Sequence, residues 1–595
     1  MALYHIKFLI IITVFLGCNY SAFAAPKSLK LDVRIDKNSP MQKQLFELAK
    51  ELENTAKTYK TTNQLEYWES KGQELFDKLL KSEGYYANNI DVEIPDTGIN
   101  SIVFYVNTQQ RYKISKITIK HTEGSNKNII LPKISALKLK QGQFAIAQDV
   151  FAAEEKIIKQ VENNNCLLSL SVTHEAIINH LDGEVEINFL LDAGPNATIE
   201  KVSFKGLKQV HAEYARKLTG LKEGQCFRNS YIAESRGELQ KSGLFSSTTP
   251  TIPTTTNEDG SVPVVFNLKE RKSRSVKSGL GYSTDLGVAA TLGWEHRNLF
   301  GNGEKVETKL SGNQKEQVLD LNYTKPFYKR DDQTLKLGIK FENKRLKAYE
   351  TKGGIMSAFL DRTLSSTWSA GVGARASQAK VKEFGASKAY DYSLLSTPLY
   401  VTNDTRNNRL DAKRGYKFDI ETAPYFGFNK TKNPFLKTEI SGSAYMTFAT
   451  TLKHVLAVRA ATGSILGAGA KTTKIPPNER FYVGGSGSLR GYGYQMAGSI
   501  GSNKRPVGGR SFVSSSIELR LKFIKTIGVV GFLDSGFAYT TITPNTREKL
   551  LHGVGFGLRY ITDFGPIRAD IAFPLKRRKF IDSAYQLSFG IGQVF

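Results

Sequence analysis

Tyr585-Gln586-Leu587-Ser588-Phe589-Gly590-Ile591-Gly592-Gln593-Val594-Phe595 is the stretch whose reading decides the fold. Tyr585, Leu587, Phe589, Ile591 and Phe595 alternate with Gln586, Ser588, Gly590 and Gly592, and Gln593 is the exception on the apolar side. Successive side chains of a strand point to opposite faces, so this segment has one apolar face and one small or polar face. Such a strand suits a wall with lipid on one side and water on the other.

Working backwards, the same texture extends to about Arg271. Segments of about ten residues with alternating apolar character are separated by Gly, Asn, Asp and Lys. Val276 to Ser283, Val288 to His296, Lys305 to Ser311, Val318 to Tyr323, Lys336 to Glu342, Val455 to Thr462, Phe512 to Lys522 and Gly553 to Tyr560 are examples. About sixteen segments fit residues 272–595, which leaves about 20 residues for each strand and its connection. Strands in lipid must close into a barrel, because an open edge leaves backbone groups without partners. A soluble β-sandwich also alternates, but it does not account for the aromatic terminal residue together with a secretory N-terminus.

That N-terminus has His5 and Lys7, an apolar stretch from Phe8 to Leu16, and Ala22-Phe23-Ala24, the three regions of a cleaved signal. Residues 1–24 are therefore expected to leave the chain. The competing reading is a lipid anchor on Cys18, which Phe15 and Leu16 fit poorly. The apolar stretch is short for a membrane-spanning helix, and no later run reaches the roughly 18 to 20 apolar residues that one needs. Cys166 and Cys226 then remain as a candidate disulfide in an oxidising compartment, with the free thiols as the open alternative. Neither Cys nor His spacing supports a metal site. The net charge of +26 comes from Lys and Arg dispersed along the whole chain, which argues against nucleic acid. Solvated loops and module faces account for most of it, and attraction to anionic outer-membrane lipids is the more specific reading.

Between Leu29 and Arg271 a pattern repeats with a period of about 85 residues. The first copy, within residues 25–111, has a strand at Leu31 to Ile35, helical patterning over Gln42 to Lys57 and Leu65 to Lys81, the turn Gly84-Tyr85-Tyr86, and strands at Asn89 to Glu93 and Ile102 to Val106. The second, within 112–196, opens at Tyr112 to Ile119, continues with a helix over Asp149 to Val161, and closes with Leu167 to Val172 and Val185 to Leu190. The third, within 197–271, opens at Thr198 to Phe204, passes Ser242-Gly243-Leu244-Phe245 after its helix and closes at Val262 to Leu268. Each copy reads β-α-α-β-β. This α+β order resembles the polypeptide-transport-associated (POTRA) modules of outer-membrane assembly proteins.

A connection of about 45 residues, 466–511, interrupts the regular spacing of the barrel strands, and connections that long usually carry function. It contains Arg480-Phe481-Tyr482-Val483-Gly484-Gly485-Ser486-Gly487-Ser488-Leu489-Arg490-Gly491-Tyr492. This segment resembles the lumen-inserted sixth loop of the BamA/TamA superfamily, whose tip carries Arg-Gly-Tyr or Arg-Gly-Phe. The resemblance implies a motif of Gly484, Gly485, Leu489, Arg490, Gly491 and Tyr492, with Glu518 and Asp534 on the following strands as the lumen carboxylates that receive Arg490. An Arg withdrawn from water needs such charge-assisted, fork-shaped partners, which a Lys would not match. Weaker matches are Gly279 to Asp285 with Trp294 and Asn298-Leu299-Phe300-Gly301, Asp404-Thr405-Arg406 with Arg414-Gly415, and Phe564 to Arg568 with Phe573-Pro574-Leu575. Ala412 stands where the family commonly has Pro.

Three modules before about sixteen antiparallel strands resemble the TamA branch of that superfamily. The resemblance implies an outer-membrane factor, with its modules in the periplasm, that inserts or translocates β-barrel and autotransporter-type clients. It also implies docking of a TamB-like inner-membrane-anchored protein on the first module. No catalytic constellation or cofactor motif is visible. Glycines at Gly279, Gly281, Gly590 and Gly592, with Phe595, mark the first and last strands as a weak lateral seam, since Gly packs poorly in strands. The same glycines would equally relieve crowding in a tight barrel. The competing functions are a two-partner-secretion-type transporter and a passive outer-membrane channel.

Overall fold

The computed structural model describes residues 29–56, 62–95, 101–428, 433–448, 454–469, 471–524, 526–545, 548–562, 565–591 and 593. The segment read as a signal, 1–24, lies outside them. The chain divides into two compact units, Met1–Lys201 with Lys222–Tyr231 and Ile252–Pro263, and Val202–Leu221 with Ile232–Thr251 and Val264–Phe595.

Three small sheets precede the barrel, and in each the last strand in sequence is the central one. In the first, Ser101–Asn107 lies parallel to Lys30–Arg34 and antiparallel to Asn89–Glu93. Helix Gln42–Ala56 buries Leu45, Ala49, Leu52 and Ala56, a spacing of three and four that defines one helical face. These side chains pack with Phe76, Leu80, Ile102 and Phe104 to form the core. The second sheet repeats the order with Lys113–His121, Leu170–Asn179 and Glu184–Ala193, over helix Ala147–Asn164. Here the expected β-α-α-β-β order fails at its first helix. Only the short 3₁₀ turn Ile134–Leu137 stands there, stopped by Lys138 in the left-handed region at φ 62°. A stretch that holds one turn buries only Leu137, too little apolar surface to stabilise a longer helix. The third sheet comprises Thr198–Lys205, Phe245–Thr251 and Ser261–Glu270, accompanied by helices Ala212–Thr219 and Asn229–Lys241.

The two module junctions of the first unit differ in chemistry. Between modules one and two, Arg111 donates to the Glu83 carbonyl at 2.6 Å and to its carboxylate at 3.0 Å, and its guanidinium lies 4.6 Å from the Phe144 ring centre. At the next junction Cys166 and Cys226 form a disulfide, and Arg228 donates to the Asn163 carbonyl at 2.7 Å. The candidate pair of cysteines is thus joined, one just after helix Ala147–Asn164 of the second module and the other just before helix Asn229–Lys241 of the third.

From Arg274 onward the strands form a closed antiparallel barrel. Tyr390–Ser396 and Leu399–Asp404 both pair with Trp368–Glu383 and with Gly415–Gly427, so they are two halves of one strand and the wall has sixteen strands. The break falls at Thr397-Pro398, where proline has no N–H to donate to the ladder. Large apolar side chains such as Leu280, Met356, Phe556 and Leu558 point outward and are exposed, while Glu295, Glu518, Asp534 and Asp570 are buried on the other face. Among the described residues no helix is long and apolar enough to cross a membrane. The outward apolar belt assigns the crossing to the strands.

Candidate functional site

The long connection after strand His454–Gly467 folds back into the barrel lumen. Gly484 and Gly485 hold φ values of +112° and +93°, which only glycine adopts without strain. Gly491 is required for a different reason, since a Cβ there would lie 2.7 Å from the Phe573 carbonyl oxygen and 3.0 Å from the Gly553 Cα. The loop backbone therefore rests directly on the backbones of strands Leu551–Thr562 and Gly565–Pro574. Leu489 and Tyr492 are fully buried beside Val483, Phe537 and Leu551, and the Tyr492 hydroxyl donates to the Lys576 carbonyl at 2.8 Å.

This seating delivers Arg490, 3% exposed, to the wall. Its Nε and Nη2 donate to the two oxygens of Asp534 at 2.7 Å each, and Nη1 donates to Glu518 at 2.6 Å. Nη2 also reaches Ser516 Oγ at 3.1 Å, and the guanidinium stacks 3.4 Å from the Phe532 ring centre. Glu518 and Asp534 are both 0% exposed. Arg520 completes the cluster by donating to the second oxygen of Glu518 at 3.0 Å, so two cations balance two carboxylates. Buried ions survive only with such full pairing, because taking each out of water costs several kcal/mol.

Three further arginines of this region fasten the loop, and nothing in the sequence pattern singled them out. Arg480 donates to the Ile475 and Val507 carbonyls at 3.0 and 2.9 Å and to Glu383 at 2.6 Å. Arg510 donates to the carbonyls of Ile465, Gly467 and Gly469. Arg578 donates to the Met496 carbonyl at 2.6 Å and to Asp582 at 2.7 Å. Asp285, in the first hairpin, accepts from the Tyr494 N–H at 3.0 Å and ties the loop to the barrel's opening strands.

The seam is the second part of the site. Arg274–Ser283 and Gln586–Ile591 are joined through Tyr282 with Phe589 and Ser283 with Ser588. Just beyond, Thr284 N–H donates to the Leu587 carbonyl at 3.1 Å, and the Thr284 hydroxyl bonds the Gln586 side chain. On its other side the same first strand pairs along its whole length, from Arg274 with His296 to Ser283 with Gly287. Among the described residues, Arg274 to Gly281 have no partner strand on the seam edge. Pairing at the seam is thus confined, among the described residues, to the C-terminal end of strand one. A Cβ at Gly279 would meet nothing within 4 Å, and at Gly281 and Gly590 the nearest atoms are at 3.4 Å. Crowding does not explain these three glycines. Gly592 and Phe595 lie outside the described residues. Gln593, the exception in the alternation, accepts from Arg559 Nε at 3.0 Å and donates to Asp411 at 3.2 Å. Both bonds hold the Gln593 side chain against groups elsewhere in the barrel, with Arg559 buried at 3% exposed.

The foot of strand one is fixed. Glu270 accepts the backbone N–H groups of Lys208, Gln209 and Val210 at 2.8 to 3.1 Å. Burial works against its charge, but these three donors outweigh it and hold the carboxyl below its ordinary range. The turn after strand two docks onto the same segment. His211 N–H donates to the Gly301 carbonyl at 2.8 Å, and Asn298 donates to the Gln209 carbonyl at 2.9 Å. Tyr214 covers Gly303, and burial, with Glu304 nearby, pushes its hydroxyl up to about 12. The Asn298-Leu299-Phe300-Gly301 stretch is this joint.

The family described as the Omp85 superfamily domain matches residues 298–595, and a POTRA family, described as surface antigen variable number repeat, matches 197–271. The outer envelope protein 80 of Arabidopsis thaliana chloroplasts is 25% identical over 54% of this chain and 46% of its own length. The outer membrane protein assembly factor BamA of Nitratidesulfovibrio vulgaris is 23% identical over 85% of this chain and 64% of its own. The chain therefore spans about half to two thirds of the length of these curated relatives. The crystal structure of BamA from Haemophilus ducreyi lacking POTRA domains 1–3 shares the fold at a TM-score of 0.62 and 20% identity, covering 81% of this chain and all of that one.

Proposed function

The chain belongs to the Omp85 superfamily, an outer-membrane β-barrel preceded by periplasmic POTRA modules, and from that premise we propose that it is an assembly factor for other outer-membrane proteins. Its clients are unfolded β-barrel and autotransporter-type chains, inserted or translocated through the seam between the first and last strands.

The observation that carries this reading is the seam itself. An unpaired strand edge is a row of N–H and C=O groups that templates another strand. Among the described residues, Arg274 to Gly281 offer that row on the periplasmic side, where a client arrives. Parting Tyr282–Ser283 from Ser588–Phe589 gives up a handful of hydrogen bonds, each worth roughly 1 kcal/mol net. The barrel keeps its shape meanwhile, because the loop is anchored through Arg490 to other strands. Cysteines at Gly281 and Gly590 test the idea. Crosslinked, the protein should lose client assembly while reduction restores it, and unchanged activity of the crosslinked form removes the seam from the mechanism.

A passive channel is disfavoured by the loop, which lies against the inner wall and is held there by a fully paired buried cluster. The TamB-like partner is assigned to the first module, whose sheet leaves Lys30–Arg34 and Asn89–Glu93 as edge strands. Deletion of residues 25–111 should abolish co-purification of that partner, and retention of it would place the contact elsewhere.

A further inference from the structure

On the outer wall, away from loop and seam, strands Gln333–Arg345, Tyr349–Thr363, Trp368–Glu383 and Tyr390–Ser396 enclose a groove of about 790 Å³. Its floor is apolar and faces outward. Ile339, Phe341, Met356 and Leu395 line it and are 39%, 51%, 62% and 37% exposed. The hollow exists because Gly354 and Ala376 stand among these large residues. On the alternate face of the same strands Thr351, Ala379 and Val381 are buried toward the lumen, which confirms that the groove opens to lipid.

Lys352 and Lys380 line the same groove and are direct cross-strand partners. Both are exposed, and among the described residues neither has an ion-pair partner within 4 Å. Like charges placed directly opposite each other on neighbouring strands are destabilising, and on a lipid-facing wall they are doubly costly. Asp391 is opposite Lys380 on the next strand and offsets part of the charge without closing on it, so the pair keeps a net positive field. Lys352 is three residues from Tyr349, where the strand begins at the extracellular side, so it stands about 10 Å along the strand from that rim. Below it Met356, Ala358 and Leu360 continue the apolar belt on the same face. The two ammonium groups therefore sit at the level of outer-leaflet headgroups, with an acyl-sized trough beneath them.

We propose that this groove binds an acylated lipid bearing a phosphate monoester, the phosphate held between Lys352 and Lys380 and an acyl chain lying over Ile339, Phe341, Met356 and Leu395. Charge complementarity selects the headgroup, and the trough selects an attached chain over free phosphate. The site places one anionic lipid on the wall formed by the fifth to eighth strands of the barrel, independent of seam opening.

The test is native mass spectrometry of the full chain in detergent, titrated with diacyl phosphatidic acid and with phosphatidylcholine of the same chains. The wild type should retain phosphatidic acid about tenfold more strongly, as expected for two lysines each contributing modestly to an anionic lipid. The Lys352→Gln/Lys380→Gln variant should lose that preference. Gly354→Leu, where the first added carbon meets the Phe341 ring at 3.4 Å and the Lys340 carbonyl oxygen at 3.7 Å, should weaken both lipids by filling the trough. Heat-modifiable electrophoretic mobility checks that each barrel is folded, and Asp391→Asn, which removes the offsetting charge, should strengthen phosphatidic acid binding. Equal retention of the two lipids by the wild type overturns the proposal. So does a folded double variant that keeps the preference, or displacement of phosphatidic acid by equimolar inorganic phosphate.

Discussion

Between Ser511–Lys522 and Ile527–Tyr539 the ladder runs unbroken from Ser511 with Tyr539 to Lys522 with Gly528, and the lumen face of this wall carries Ser516, Glu518 and Asp534 around Arg490. Between Arg274–Ser283 and Gln586–Ile591 it consists of two residue pairs at one end. Both regions are alternating antiparallel strands of similar composition. The difference lies in what lies behind them. One wall is backed by a loop that locks its charges, whereas just past the other's last described strand Gln593 bonds Arg559 and Asp411. Among the described residues the barrel is thus densely paired where the plug is held and sparsely paired where the circle closes, the asymmetry that the proposed sideways opening needs.

The comparison can be broken first at its strong side. Asp534→Ala leaves Arg490 and Arg520 sharing Glu518 alone, and removing one partner of a buried ion cluster costs about 3–5 kcal/mol. The thermal midpoint in detergent should fall accordingly and single-channel conductance should rise as the loop loosens. A variant with unchanged midpoint and conductance would mean that the cluster does not lock the plug.

A smaller effect separates a weak seam from a loose foot. Because the Glu270 carboxyl titrates below its ordinary value, its contribution is complete above the unfolded-chain value of about 4.3 and is lost as pH falls through the lowered folded value. Hydrogen exchange at the Lys208, Gln209 and Val210 amides should accelerate below about pH 4. In Glu270→Gln, destabilised by about 1–2 kcal/mol, exchange should already be fast and independent of pH in that range. Slow exchange in that variant would show that other contacts hold the joint.

The smallest effect lies in the seam itself. Gly279 has ordinary backbone geometry and open space at its Cβ position, so Gly279→Ala should stabilise strand one by about 0.5–1 kcal/mol and slow client assembly a few-fold in a reconstituted insertion assay. Faster assembly would mean that seam flexibility is not limiting.

Much of this was legible from residue order alone. Arg490, Glu518 and Asp534 stood out through the resemblance of their segments to the superfamily's sixth loop and the strands after it, and the need of a buried arginine for fork-shaped acidic partners agreed with that resemblance. Arg480, Arg510 and Arg578 did not, since a loop arginine reads as solvated until the carbonyls it satisfies are known. The second module's missing helix escaped for a related reason. The repeat of its neighbours implies a helix, while the segment buries only Leu137 and holds one 3₁₀ turn there. Gln593 was visible as a fault in the alternation of the last strand, but its partners, Arg559 and Asp411, lie far away in the chain.

Alternation of period two, the repeated α+β pattern and the glycine-rich arginine motif are local properties, written within a few tens of residues, and the sequence by itself determined them. Whether Cys166 joins Cys226 depends on how two modules meet, and which edge of the barrel is short and where a lysine pair meets an apolar trough depend on register. Register between the first and last strands joins residues about three hundred positions apart and is settled only when the tilt and stagger of all the strands close the circle. Only the tertiary structure decided those features.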